Sequence, residues 1–195
     1  MSERAPTTRE LLLDAAADVV VSGGWPRARM ADVAQAAGVS RQTLYYEFGS
    51  KDRLAEALAL READRYADGA DAARGVEDAS PAAAIRAGVE FTLRAAADNP
   101  LLKAVLTDDA GGLLPYLTTR AEALHAAAAE RCASQLLSLW PQLPVDDVRL
   151  VADVVTRLTV SHIVLPGARP EQVADDVARL VDRLLPVPPR QETPA

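Results

Sequence analysis

The stretch MADVAQAAGVSRQTLYYEF, residues 30–48, decides how this chain reads. Its apolar positions recur with helical spacing on both sides of Gly38. That predicts a short helix over about 30–37, a turn, and a second helix capped by Ser40 and running to Phe48. So tight a turn needs a positive φ, which glycine reaches without a Cβ clash. Val33, Ala37, Val39 and Leu44 fall where two such helices bury a small shared core. Ala34 is small enough to let the second helix cross closely. The pattern is that of a helix-turn-helix, whose second helix enters the major groove of DNA.

The polar side chains of that second helix suit the task. Arg41 can fork onto guanine O6 and N7, Gln42 can pair with adenine N6 and N7, and Thr43 can touch a thymine methyl. Tyr45, Tyr46 and Lys51 can hold phosphates, as can the backbone N–H groups that follow Ser40 and Ser50.

Outward from this core the chain is helical in period and punctuated by Pro and Gly. Thr7 and Glu10 have the spacing of a capping box, and the helix they open stops at Gly23-Gly24. A long helix follows Ser50 to about Ala73. Further helices are expected over about 81–98, 100–108, 113–140, 145–164 and 170–185. No stretch alternates with period two, so the fold class is all-α, with about nine helices. Residues 186–195, PVPPRQETPA, read as a disordered Pro-rich tail.

The longer string AGVSRQTLYYEFGSKDRL, residues 37–54, closely resembles the DNA-binding signature of the TetR/AcrR family of transcriptional regulators. The resemblance extends over roughly residues 7–60. It implies a three-helix DNA-binding domain over 1–50 and a helical effector-binding and dimerisation domain over 51–185. It implies phosphate contacts from Ser40, Tyr45, Tyr46 and Lys51 and base contacts from Arg41, Gln42 and Thr43. Two positions depart from the family pattern. Ala28 and Arg29 stand where a Ser or Thr usually caps the second helix, which leaves that cap missing, although Arg29 can still reach a phosphate. Glu47 stands where many relatives carry His or Tyr. Phosphate would repel it, so it is expected to turn aside, toward Arg29 or Arg53.

The net charge of −7 argues at first against nucleic acid, because phosphate binding wants cations. The charge is unevenly spread, however. Residues 1–54 are neutral, with seven basic and seven acidic side chains, and residues 55–195 carry the whole excess. An acidic remainder weakens nonspecific DNA contacts outside the reading head. Cys132 is the sole cysteine, so no disulfide forms within the chain, and a reducing, cytoplasmic setting is expected. No apolar run approaches the ~18 residues a membrane span needs.

In the two last helices, apolar residues occupy much of the circumference, so two burials are expected, one in the chain's own core and one against a partner. Val151, Val155, Leu158, Val177, Leu180, Val181 and Leu184 are the expected homodimer interface, in keeping with the four-helix bundle the family resemblance implies. By the same analogy an effector site draws on Phe91, Leu102, Leu106, Leu117, Leu124, His125, Trp140, Arg157 and His162. Most of these are apolar, which suits a hydrophobic small molecule with one or two polar handles. Arg157 could bind an acidic group or form a salt bridge between subunits.

An enzyme or carrier, with the helix-turn-helix serving as an interaction hairpin, is the alternative. Glu122 and His125 have the i, i+3 spacing of carboxylate-bridged di-iron bundles, but His162 has Thr159 in the corresponding place, so a second pair is absent. Two histidines and one cysteine are few for a metal site, and no phosphate-binding glycine loop occurs. The expectation is a ligand-responsive repressor, not an enzyme, with no metal and no cofactor. Its partners would be a palindromic DNA operator, a small effector and a second copy of itself, with no membrane.

Overall fold

The computed structural model describes residues 5–74, 80–107 and 112–185. Nine α-helices lie among them: α1 (Thr8–Gly23), α2 (Met30–Ala36), α3 (Arg41–Phe48), α4 (Lys51–Arg74), α5 (Pro81–Asp98), α6 (Pro100–Thr107), α7 (Glu122–Leu139), α8 (Val145–Val164) and α9 (Pro170–Leu184). The expected tail at 186–195 lies outside the described residues. No helix among them is long and apolar enough to cross a membrane.

The helix starts follow the capping residues. Thr7 Oγ1 accepts from the Glu10 amide at 3.2 Å, and the Glu10 carboxylate accepts from the Thr7 amide at 2.6 Å, so both halves of the box form. Ser40 caps α3 (Thr43 N–H, 3.0 Å), Ser50 caps α4 (Arg53 N–H, 3.2 Å) and Asn99 caps α6 (Leu102 N–H, 3.1 Å).

One expected helix is shorter. The helix foreseen over 113–140 begins only at Glu122, after a 3-10 turn at Leu114–Leu117. The Pro115 carbonyl accepts from the amides of both Thr118 (3.1 Å) and Arg120 (2.7 Å), which closes the chain into a turn. Pro115 itself has no N–H to offer a continuing ladder.

The chain forms two compact units. The first holds residues up to Asp64 together with Ala96–Leu124, and the second holds Arg65–Ala95 with the chain from His125 onward. In the first, Leu12, Ala16, Val20, Val33, Leu44, Leu54 and Leu58 form the centre of the core. In the second, the core is built on Ile85, Leu136, Val148, Val151, Ala174 and Val181. Residues of α4 belong to both. Cys132 is buried in the second core, where burial pushes its thiol pKa up and leaves it unreactive.

The seam between α4 and α5 is interlocked in both directions. Phe91 of α5 lies against Gly69 of α4, where a Cβ would collide with its ring. Arg74 of α4 lies against Gly88 of α5, where a Cβ would stand 2.6 Å from Nη1. The Arg74 guanidinium is 6% exposed and is held by Asp71 at 2.5 Å and by Gln135 of α7. Arg131 of α7 reaches back to Asp68 and Asp71, each at 2.6 Å.

Candidate nucleic-acid interface

The turn between α2 and α3 follows from its sequence. Ala37 ends α2, and Gly38 follows at φ 68°. The Gly38 amide donates to the Gln35 carbonyl at 3.1 Å and the Val39 amide to the Ala34 carbonyl at 3.0 Å. This is a Schellman closure, in which two otherwise orphaned carbonyls are satisfied by the chain as it leaves the helix. Val39 packs against the core beneath the turn. Val33 and Ala34 on α2 and Leu44 on α3 are almost wholly buried, as expected from their spacing.

Leu44 and Phe48 pin α3 by one face. The Arg9 guanidinium lies 4.6 Å from the Phe48 ring centroid, a cation–π contact from α1. The opposite face is left open. Arg41, Gln42, Tyr45 and Tyr46 are all exposed, and Tyr46 is 88% exposed. Thr43 is half-buried, and its hydroxyl is 2.8 Å from that of Ser40. An aromatic ring that far into solvent contributes little to the core.

The missing cap on α2 is supplied from the other direction. A guanidinium has no acceptor, so Arg29 cannot cap forward. Instead the Asp32 carboxylate accepts from the Arg29 amide at 3.3 Å. The Arg29 side chain remains exposed. Among the described residues Arg27, Arg29, Arg41 and Arg53 make no ion pair, whereas Arg74, Arg86, Arg94, Arg131, Arg157 and Arg179 of the second unit each pair with carboxylates. The neutral quarter of the sequence thus offers exposed, unpaired cations around α3.

Two expectations change here. Lys51 does not simply project: its ammonium donates to the Trp25 carbonyl at 2.7 Å and stands 4.9 Å from the Trp25 ring centroid. Burial holds its pKa below the ordinary lysine value, and Asp52 partly offsets this. One of its three donors is engaged, and two remain for a phosphate. Glu47 does not turn to Arg29 or Arg53. It is half-buried, and its carboxylate makes no ion pair among the described residues.

The expected effector residues divide between the units. Leu102, Leu106, Leu117 and Leu124 belong to the first, and Phe91, His125, Trp140, Arg157 and His162 to the second. Leu102 and Leu124 are buried, Leu106 and Leu117 half-buried. Trp140 packs against the second core, and His162 is half-buried near the end of α8. His125 Nδ1 stands 3.6 Å from Asp153 Oδ1, while its Nε2 is buried without a hydrogen-bond partner. Burial, aided by Arg157, holds the imidazole pKa below the usual histidine value. Arg157 is exposed and already paired one turn along its own helix with Asp153, at 2.9 and 3.3 Å. Within the chain, Asp153 thus supplies Arg157 with a carboxylate partner.

The expected dimer face also divides. Val151, Val155, Val177 and Val181 are buried in the chain's own core, and Leu158 packs against it. These side chains are therefore already covered within one chain. The large apolar residues left open on α8 and α9 are Val145, Leu150, Leu180 and Leu184, with Leu165 just beyond α8.

The family profile described as "Bacterial regulatory proteins, tetR family" matches residues 12–58, and the one described as "Bacterial Tetracyclin repressor, C-terminal domain" matches residues 80–183. The chain is 33% identical over 174 residues to the HTH-type transcriptional regulator AlkX of Mycobacterium tuberculosis, covering 89% of this chain and 82% of that one. It is similar in structure to the TetR family repressor AlkX of a Dietzia species, a protein implicated in biodegradation of n-alkanes. That likeness has a TM-score of 0.77 and 31% identity, with 94% of this chain and 96% of the other covered. A putative TetR-family regulator of Mesorhizobium loti shares the fold at a TM-score of 0.62 and 20% identity, over 95% of this chain and 100% of that one. The chain belongs to the TetR family of transcriptional regulators, whose DNA-binding profile takes in the helix-turn-helix of α2 and α3.

Proposed function

We propose that this protein is a homodimeric repressor. In this reading it binds a palindromic operator without ligand and leaves it when a small hydrophobic effector is bound. The carrying observation is the exposed ridge of α3, where Arg41, Gln42, Tyr45 and Tyr46 stand free while Leu44 and Phe48 lock the helix beneath them. Arg41, Gln42 and Thr43 read bases, and Arg29, Ser40, Tyr45, Tyr46 and Lys51 hold the backbone.

One reading head makes too few contacts for strong selection. Two of them, ~34–36 Å apart, meet successive major grooves. The exposed Leu150, Leu165, Leu180 and Leu184 support pairing through α8 and α9. The likeness to the Dietzia protein and the apolar candidates around α5 to α8 support an alkane-like effector. Residues of α4 belong to both units, which makes it the element through which a ligand would alter the spacing of the heads. A coupling of about 1–3 kcal/mol is typical of such linkage. The protein works where the DNA is, in the cytoplasm.

Gln42→Ala and Tyr46→Ala test the division of contacts. Gln42→Ala should change which base is preferred at one position, and Tyr46→Ala should weaken binding to all duplexes alike. Equal losses on every operator variant from both would contradict it.

A further inference from the structure

The carboxylate of Glu47 is unexplained by either the fold or the phosphate contacts. It lies on α3 one turn beyond Thr43 and two turns beyond Ser40, so the three residues share one stripe of the helix. Glu47 is half-buried, yet its oxygens are not among the buried polar atoms lacking a partner, so they keep contact with solvent. No arginine answers it among the described residues, although Arg29, Arg41 and Arg53 are themselves without ion pairs.

An ionised carboxylate only accepts hydrogen bonds. Phosphates, thymine O4 and guanine O6 and N7 are acceptors too, so each would repel it. The donors exposed in the major groove are the exocyclic amino groups, cytosine N4 and adenine N6, and cytosine presents no competing acceptor there. Neighbours one helical turn apart are ~5–6 Å apart at Cβ, and successive bases along a strand are ~3.4 Å apart. Glu47 therefore meets a base about two steps from the one Thr43 touches. We infer that Glu47 is a specificity-determining residue, which reads an amino-bearing base, cytosine before adenine, at a symmetric pair of operator positions. This rests on the DNA-reading role of α3 proposed above.

Selection from a randomised duplex library with the wild-type protein, Glu47→Ala and Glu47→Gln tests it, with thermal melting to confirm that each variant is folded. The wild type should enrich cytosine at one symmetric pair of positions by at least about fivefold. Glu47→Ala should lose that enrichment alone and keep the rest of the motif, and Glu47→Gln should shift it toward adenine. If Glu47→Ala keeps every preference and binds all duplexes more tightly, the carboxylate only repels the backbone and the inference is overturned. Enrichment of guanine or thymine on the contacted strand would overturn it as well. A wild type that enriches no motif would instead remove the DNA-reading role itself.

Discussion

Lys51, the first residue of α4, is fastened to Trp25: its ammonium donates to the Trp25 carbonyl at 2.7 Å and stands 4.9 Å from the ring centroid. Trp25 in turn fills the space at Gly112, where a Cβ would be 2.5 Å from its Cδ1. The start of α4, directly after the reading helix, is thereby fixed to the loop between α1 and α2. A charged hydrogen bond is worth roughly 1.5–3 kcal/mol, and the burial that depresses the Lys51 pKa opposes it. Lys51→Met should therefore lower unfolding free energy by about 1 kcal/mol in urea titration. It should also weaken DNA binding on every sequence, and a fall in affinity without any fall in stability would point to a phosphate contact alone.

The two glycine notches should respond differently to alanine. Alanine favours a helix interior by ~1 kcal/mol over glycine. At Gly69 the obstacle is the tip of the Phe91 ring, which is 37% exposed and so has solvent on one side. At Gly88 it is the buried Arg74 side chain, held by Asp71 and Gln135. Gly69→Ala should change the melting temperature little, whereas Gly88→Ala should lower it by several degrees. The reverse order in a melting experiment would contradict the rigidity assigned to Arg74.

Stability should also fall in mild acid, through His125. Its folded pKa lies below the ordinary 6.5, chiefly because burial disfavours the charged ring. The unfolded chain therefore takes up a proton first, and stability drops as pH falls through about 6.5 toward the folded value. Asp153 and Glu171, held below ordinary carboxylate values by Arg157 and Arg94, lose their contribution only in more acid solution. The melting temperature of His125→Gln should be flatter than that of the wild type between about pH 7 and 5. Parallel profiles would mean that the ring is hydrated.

Burial and exposure on α9 separate association from folding. Val177 is in the core, while Leu180 and Leu184 are each close to half exposed. A Leu180→Glu, Leu184→Glu double variant should remain helical and sediment as a monomer, because surface changes seldom cost much stability. Val177→Glu should unfold the chain, since it buries an unpaired charge. A double variant that stays dimeric would place the interface elsewhere.

The first three helices were readable because each boundary is set by a local residue. Thr7 with Glu10, Ser40 and Gly38 act within four residues of where they stand. The start of α7 was not, because Pro115 ends the ladder through a turn whose three-dimensional closure helical periodicity does not encode. The faces of α8 and α9 were legible as apolar but not as inner or outer. Which valines the chain keeps for itself depends on how the helices pack, and Val151 and Leu150 are neighbours with opposite fates. The Lys51–Trp25 contact spans 26 residues and the Arg74–Gln135 contact 61, beyond the reach of any local signal. Most of the candidate DNA-contacting side chains are exposed as their spacing implied. Asp32, which stabilises the start of α2, gives no capping signature in the sequence, because it acts from inside the helix with no Ser or Thr three residues before it.

The most direct measurement is the affinity for a selected operator duplex as a function of salt, with the wild type and Tyr46→Ala compared. Release of counterions from contacted phosphates makes log K fall linearly with log salt. The wild type should show a steep negative slope, and Tyr46→Ala should bind every duplex more weakly while melting at the same temperature. A flat slope, or a variant that binds as tightly as the wild type, would contradict the assignment of α3 to the DNA groove.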